Sequence, residues 1–422
     1  MFLKINIFTK RFSKHFWMLM AASFIDMLGG SLIFPFFSLF MTQKFHVGMT
    51  EVGGMFFVWA LTSGVIGNVI GGALADRFGR KTNMILGLVA SATSALLMVL
   101  IQNIVFFYIA IAIVGIFEDI AGPARQAMIA DLVPEPLRDE AYGIFRIVFN
   151  LAAAIGPAIG GFMATRSFEL LFYADVALSL SVAAFVYLFL AETKPASEVH
   201  FGEQEATFMQ TMKGYRVVLK DKIFMDFVGI SILSTLMYFN LNSTLSVFLV
   251  HFRNITPAQF GYLLSLNAIM VVLLQITFTR ITTRWPPFLT IATGNLLYVI
   301  GFGMYGVVNS YSRYILAMVV ITIGEMICAP KEQSMAANLS PNDMRARYMA
   351  VRSFAWIIPV AIGPMGAGLI MDHLNPNLVW AAAALSGMLS VIGFLRLHKL
   401  AGPVLDEKAN SKLRGELVRL VD

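Results

Sequence analysis

Residues 114–161 read VGIFEDIAGPARQAMIADLVPEPLRDEAYGIFRIVFNLAAAIGPAIGG, and 207 residues further on 321–368 read ITIGEMICAPKEQSMAANLSPNDMRARYMAVRSFAWIIPVAIGPMGAG. Laid over each other without a gap, the two stretches agree at about 15 of 48 positions. The matches include Glu118 with Glu325, Pro123 with Pro330, Gln126 with Gln333, Arg138 with Arg345, and Ile155-Gly156-Pro157 with Ile362-Gly363-Pro364. Shared apolar composition does not align polar residues and prolines in one register, so the chain contains an internal duplication. Two parallel copies with a site at their interface suit alternating access.

Around these copies the chain is almost continuously apolar. It has 422 residues, 58% of them hydrophobic and 13% charged, against roughly 45–50% and 25% for soluble domains. That balance excludes a soluble enzyme, a disordered chain or a nucleic-acid-binding module. A bilayer-crossing helix needs about 20 apolar residues, and twelve runs qualify: 16–42, 51–74, 83–101, 104–126, 141–165, 170–190, 224–250, 257–279, 288–308, 312–330, 347–371 and 376–397. The expected fold is an all-α integral membrane protein with 12 transmembrane helices in two pseudo-symmetric six-helix bundles. The first bundle spans 1–190 and the second 224–397. A charged cytoplasmic connector, 191–223, whose second half suits a surface amphipathic helix, joins them, and a cytoplasmic tail spans 398–422. The basic start (Lys4, Lys10, Arg11, Lys14) runs into an apolar stretch too long for a cleaved leader, so none is expected.

Lys and Arg divide 24 to 4 between alternate loops, which predicts both termini on the cytoplasmic side of the cell membrane. The net charge of +6 is then a topology signal and implies no nucleic-acid partner. A single cysteine, Cys328, and six histidines without an HxxH pair leave no basis for a disulfide framework, a metal site or a cofactor. No G-x-x-x-x-G-K-[ST] and no nucleophile–base constellation point to an ATP-driven pump or an enzyme.

Ionisable residues inside apolar runs are expensive and mark function by default. The repeat makes Glu118 and Glu325 equivalent, which predicts two carboxylates facing each other at one depth; the alternative is that each pairs with a nearby arginine. Asp119 adjoins Glu118. Arg146 is the expected intramembrane cation, and Arg352 is its counterpart shifted by one residue. Asp26 lies one-third of the way along the first run, either as a proton or cation site or as the partner of an arginine. Trp59, Asn150, Asp175, Phe239, Asn240, Phe354 and Trp356 are candidate cavity residues, since aromatic faces suit flat cations. Lys331 and Glu332 are expected as solvated charge at the cytoplasmic end of the tenth run.

Two motifs carry a family resemblance. Gly71-Gly72-Ala73-Leu74-Ala75-Asp76-Arg77-Phe78-Gly79-Arg80-Lys81 resembles, without a mismatch, the loop 2–3 signature of the major facilitator superfamily, G-x-x-x-D-x-x-G-R-[KR]. The resemblance implies a conformational latch formed by Gly72, Asp76, Arg77, Gly79, Arg80 and Lys81, with Asp131 as the acid paired to Arg80. Ala152 through Gly161 is similar to the antiporter signature of the superfamily's drug:proton efflux branch, with Ala152 replacing its first glycine. Gly156, Pro157, Gly160 and Gly161 carry that match, although small residues at this spacing also serve generic helix packing. In efflux relatives an acid placed like Asp26 binds a proton or cation. The arginine of the family's span-4 signature is absent, and Ile111 stands there. The implied function is proton-coupled export of lipophilic, neutral or cationic small molecules by alternating access. A lipid or small-metabolite carrier, such as a sugar carrier, is a second transport reading. A non-transporting membrane sensor or assembly partner is a reading of another class. The implied partners are protons, cargo and the lipid bilayer, and a monomer suffices because one chain holds both halves.

Overall fold

The computed structural model describes residues 11–67, 79–118, 121–134, 137–193, 215–341 and 344–419. In chain order the helices are α1 (Lys14–Ile33), a 3-10 turn (Phe34–Phe36), α2 (Phe37–Phe45), α3 (Met49–Trp59), a π turn (Ala60–Gly67), α4 (Arg80–Leu100), α5 (Ile104–Glu118), α6 (Ala121–Leu132), α7 (Arg138–Ala164) and α8 (Glu169–Phe189). After a short helical stretch, 215–220, come α9 (Lys222–Ser243), α10 (Leu245–Arg253), α11 (Pro257–Thr282), α12 (Pro287–Val307), α13 (Tyr311–Leu339), α14 (Arg345–His373) and α15 (Leu378–Arg419). Among the described residues ten helices are long and apolar enough to cross a membrane, and Ile104–Phe117 is a shorter apolar one. The second apolar run, 51–74, continues past the π turn into 68–78, outside the described residues.

Local chemistry marks the helix ends. The Ser13 hydroxyl accepts from Phe16 N at 3.2 Å and starts α1. Asn103 accepts from Val105 N at 2.9 Å and caps α5. Thr256 and Gln259 form a reciprocal capping box around the start of α11: Thr256 N donates to Gln259 Oε1 at 2.9 Å, and Gln259 N to Thr256 Oγ1 at 3.2 Å. At the other polarity, Lys44 Nζ donates to Met98 O and Val99 O at 2.7 and 2.6 Å, so a cation from α2 closes the carbonyl end of α4.

By packing, the chain forms two compact units: 1–201 with 240–272 and 360–376, and 202–239 with 273–359 and 377–422. The core of the first joins α1, α4, α6, α7 and α8 through Phe16, Leu19, Met84, Leu88, Met128, Ile129, Ala141, Val182 and Val186. In the second, Trp380 of α15 packs against Phe302 and Tyr305 of α12, and Ser234 hydrogen-bonds Asn295 across α9 and α12. Large apolar side chains such as Phe106, Leu273 and Val307 stand exposed on helix surfaces, Leu273 by 71%. That suits a lipid environment and not water.

Candidate functional site

In the first unit, Asp26 of α1 is ion-paired and hydrogen-bonded with Arg125 of α6. Their side chains are 18% and 9% exposed. Of the two roles open to Asp26, the structure thus supplies the arginine partner. Arg146, expected to neutralise Glu118 or Asp119, lies exposed on α7, and the side chains of those two acids lie outside the described residues. Arg125 stands at the end of the fourth apolar run, with Glu332 as its repeat equivalent, and nothing in that pattern marks it as the partner of Asp26. Asp175 of α8 is buried and lies against α1 at Gly29, where a Cβ would collide with its carboxylate. Glu118 ends α5, but its side chain and Asp119 lie outside the described residues. The expected meeting of Glu118 and Glu325 thus lies outside the described residues.

In the second unit, Glu325 of α13 shares a hydrogen bond with the Tyr238 hydroxyl of α9. Tyr298 of α12 packs on Tyr238 with ring centroids 5.4 Å apart and hydrogen-bonds Cys328, one turn after Glu325. A carboxylate midway along a span is thus held by a phenol in an aromatic setting. Phe239 is buried, and its ring meets that of Trp356 edge-on at 5.7 Å, while Phe354 and Trp356 are exposed. Of the other cavity candidates, Asn240 is buried, Asn150 is half-buried on α7, and Trp59 ends α3 with its ring 6.3 Å from Phe34. Glu332 requires a correction. It is not solvated charge: its side chain is 13% exposed and faces Arg352 of α14 at 3.8 Å. Lys331 Nζ reaches Thr283 O at 3.4 Å. The two α13 neighbours differ because successive helix residues point about 100° apart.

The signature loop is described only from Gly79; Gly72, Asp76 and Arg77 lie outside the described residues. Gly79 has φ +93°, a conformation that favours glycine. Arg80 Nε lies 3.2 Å from Asp131 Oδ2, and Thr193 Oγ1 donates to the same carboxylate at 3.0 Å. The first amides of α4, Arg80 N and Lys81 N, donate to Glu192 at 2.9 and 3.1 Å. Lys81 Nζ donates to Tyr187 O at 2.8 Å. Glu192 was missed in the sequence: it is a helix cap supplied from 112 residues away, with no local pattern to reveal it.

The small residues of α7 face two helices. A Cβ at Gly156 would meet Ser31, and one at Gly160 would meet Leu32 and Phe36. Gly161 lies against Pro257 and Ala258 of α11, and Gly261 of α11 against the Pro157 carbonyl. A second close seam joins α3 to α14: Gly53 abuts Pro364 and Met365, and Gly368 abuts Met49 and Thr50. Asp372, in the last turn of α14, closes it by accepting from Met49 N at 3.0 Å, Thr50 N at 2.7 Å and Thr50 Oγ1 at 2.7 Å. A carboxylate thereby caps the positive end of α3. All these contacts belong to the first unit.

The family model described as Major Facilitator Superfamily matches the chain twice, over residues 19–239 and 227–419. A Na(+), Li(+), K(+)/H(+) antiporter of Planococcus maritimus is 28% identical over 79% of this chain and 84% of its own length. Multidrug resistance protein 1 of Bacillus subtilis is 25% identical over 83% of this chain and 87% of its own. Among solved structures, the nucleoside transporter NupG superposes with a TM-score of 0.78, covering 91% of this chain and 100% of that one at 13% identity. At that identity the likeness speaks for the fold alone. The twelve-run apolar pattern, the duplicated register and the two family matches lead to one conclusion: the chain belongs to the Major Facilitator Superfamily and is a multi-pass membrane transporter of small molecules, not an enzyme.

Proposed function

We propose that this protein is a proton-coupled exporter of lipophilic, cationic small molecules that works by alternating access. The observation that carries the reading is Glu325, an intramembrane carboxylate held by Tyr238 beside the Tyr298 ring. An acid in such a setting is suited to exchanging a proton against a cationic cargo. The likeness to multidrug resistance protein 1 supports the cargo class, and the small-residue face of α7 supports export. The 1–190 and 224–397 bundles are taken as the two moving halves. With both termini cytoplasmic, the α3–α14 and α7–α11 seams lie at the outer face and close that end of the first unit. Arg80 with Asp131 is then part of the inner latch. One chain suffices as the working unit.

The test is proton exchange in proteoliposomes. Ethidium added to one side should drive protons across the membrane toward that side, against the flow of the dye, and Glu325→Gln should abolish it. Drug transport at wild-type rate and pH dependence in that variant would overturn the reading. The likeness to the Planococcus maritimus antiporter favours a second reading, monovalent cation/proton antiport. Proton movement driven by Na⁺, Li⁺ or K⁺ but not by ethidium would establish it instead.

A further inference from the structure

The α7–α11 and α3–α14 seams are copies of one another. Gly161 and Gly368 hold equivalent positions in the repeat. The first sets α7 against Pro257 and Ala258 at the start of α11, and the second sets α14 against Met49 and Thr50 at the start of α3. The turns leading into α3 and α11 correspond as well. α2 ends on His46 at φ +53° and α10 on Asn254 at φ +54°, and the next helix begins after Gly48 in one case and Thr256 in the other. The caps differ. Thr256 and Gln259 cap α11 from its own segment, so that cap travels with the helix. The N-cap residue of α3 is Gly48, which has no side chain to offer. Its first two amides and the Thr50 hydroxyl donate instead to the Asp372 carboxylate of α14.

Gly48 shows that the borrowed cap is built in. Its φ of −77° and ψ of 174° are open to any residue, so the backbone does not require glycine there. Space does: a Cβ at Gly48 would run into the Asp372 carboxylate. Ser, Thr, Asp or Asn, the usual residues at an N-cap, would compete with the acid that replaces them. α3 belongs to the 1–190 bundle and α14 to the 224–397 bundle. Parting of the two therefore strips α3 of its cap, whereas α11 keeps its own when it leaves α7.

We propose that Asp372 is a one-sided outer latch: closing the α3–α14 seam and capping α3 are a single event, so the carboxylate weights the transport cycle toward the outer-closed state. The α7–α11 seam closes by packing and has no such bias. This rests on the alternating-access part of the exporter reading and is independent of the cargo. The test is electron–electron spin-label distance measurement on the purified full chain in detergent, in the Cys328→Ser background. Labels at Glu51→Cys and Leu369→Cys report on α3–α14, and labels at Phe162→Cys and Tyr262→Cys on α7–α11. Asp372→Ala should raise the ratio of open to closed distances at the first pair about two- to thirtyfold, the equilibrium equivalent of a lost helix cap. Gly48→Ser added to Asp372→Ala places a local cap in the space that the acid vacates. It should recover the melting temperature and leave the seam open. A purely structural cap predicts recovery of both, and that result overturns the latch. Thr256→Ala should lower the melting temperature and leave the α7–α11 distance unchanged; opening there would put a latch on both seams and overturn the asymmetry. An unshifted distance in Asp372→Ala overturns the latch alone. Absence of proton exchange in the wild-type chain overturns the exporter reading and leaves the latch to be decided by the seam distances.

Discussion

Asp26 and Arg125 show how tertiary contact decides a residue's role. Breaking a buried ion pair from one side leaves a charge without compensation and costs about 3–5 kcal/mol. Asp26→Asn and Arg125→Met should each lower thermal stability by about that much, read by fluorescence melting in detergent. The double variant should lose clearly less than the sum, because no lone charge remains. Additive losses would mean that the two side chains act independently. Asp26 was legible in the sequence as a costly intramembrane acid, but its partner was not. Arg125 stands 99 residues away, and spacing along the chain singles out no arginine for Asp26. Glu332 was misread for a related reason: proximity to the end of a run says nothing about which way a side chain points.

At the scale of helices, two kinds of junction can be tested. Asp372 caps α3 with three hydrogen bonds, and loss of a side-chain cap costs about 0.5–2 kcal/mol. Asp372→Ala should therefore loosen the α3–α14 seam. Spin labels on Glu51→Cys and Leu369→Cys in a Cys328→Ser background should report a broader and longer distance distribution. An unchanged distribution would show that backbone packing alone holds the seam. The second junction is steric. Gly161→Leu and Gly261→Leu each push a side chain into backbone of the facing helix and should abolish transport while expression persists. Gly143→Ala and Gly366→Ala, where a new Cβ meets nothing within 4 Å, should leave transport near wild type. The α7 motif was visible as a string of small residues, whereas its facing partners, Ser31, Leu32, Pro257 and Gly261, were not. Spacing identifies a helix face that permits close approach and leaves open which helix approaches it.

For the whole molecule, the proposed orientation gives a direct expectation. In the Cys328→Ser background, a cysteine at Arg313 should react with an impermeant maleimide added to intact cells. One at Glu192 should react only after permeabilisation. The reverse pattern would invert the topology and exchange the roles of the two ends. The all-helical membrane class, the duplicated register and the superfamily are legible in the amino-acid chain without its coordinates. These depend on apolar run length and motif spacing, which the bilayer and chain connectivity turn into structure almost independently of distant contacts. Which groups meet emerges only from three-dimensional packing: Asp26 with Arg125, Glu332 with Arg352, Glu192 with the first amides of α4, and Asp372 with those of α3. Those contacts join residues between 20 and 323 positions apart. Their existence depends on helix rotation and depth, which no local pattern encodes.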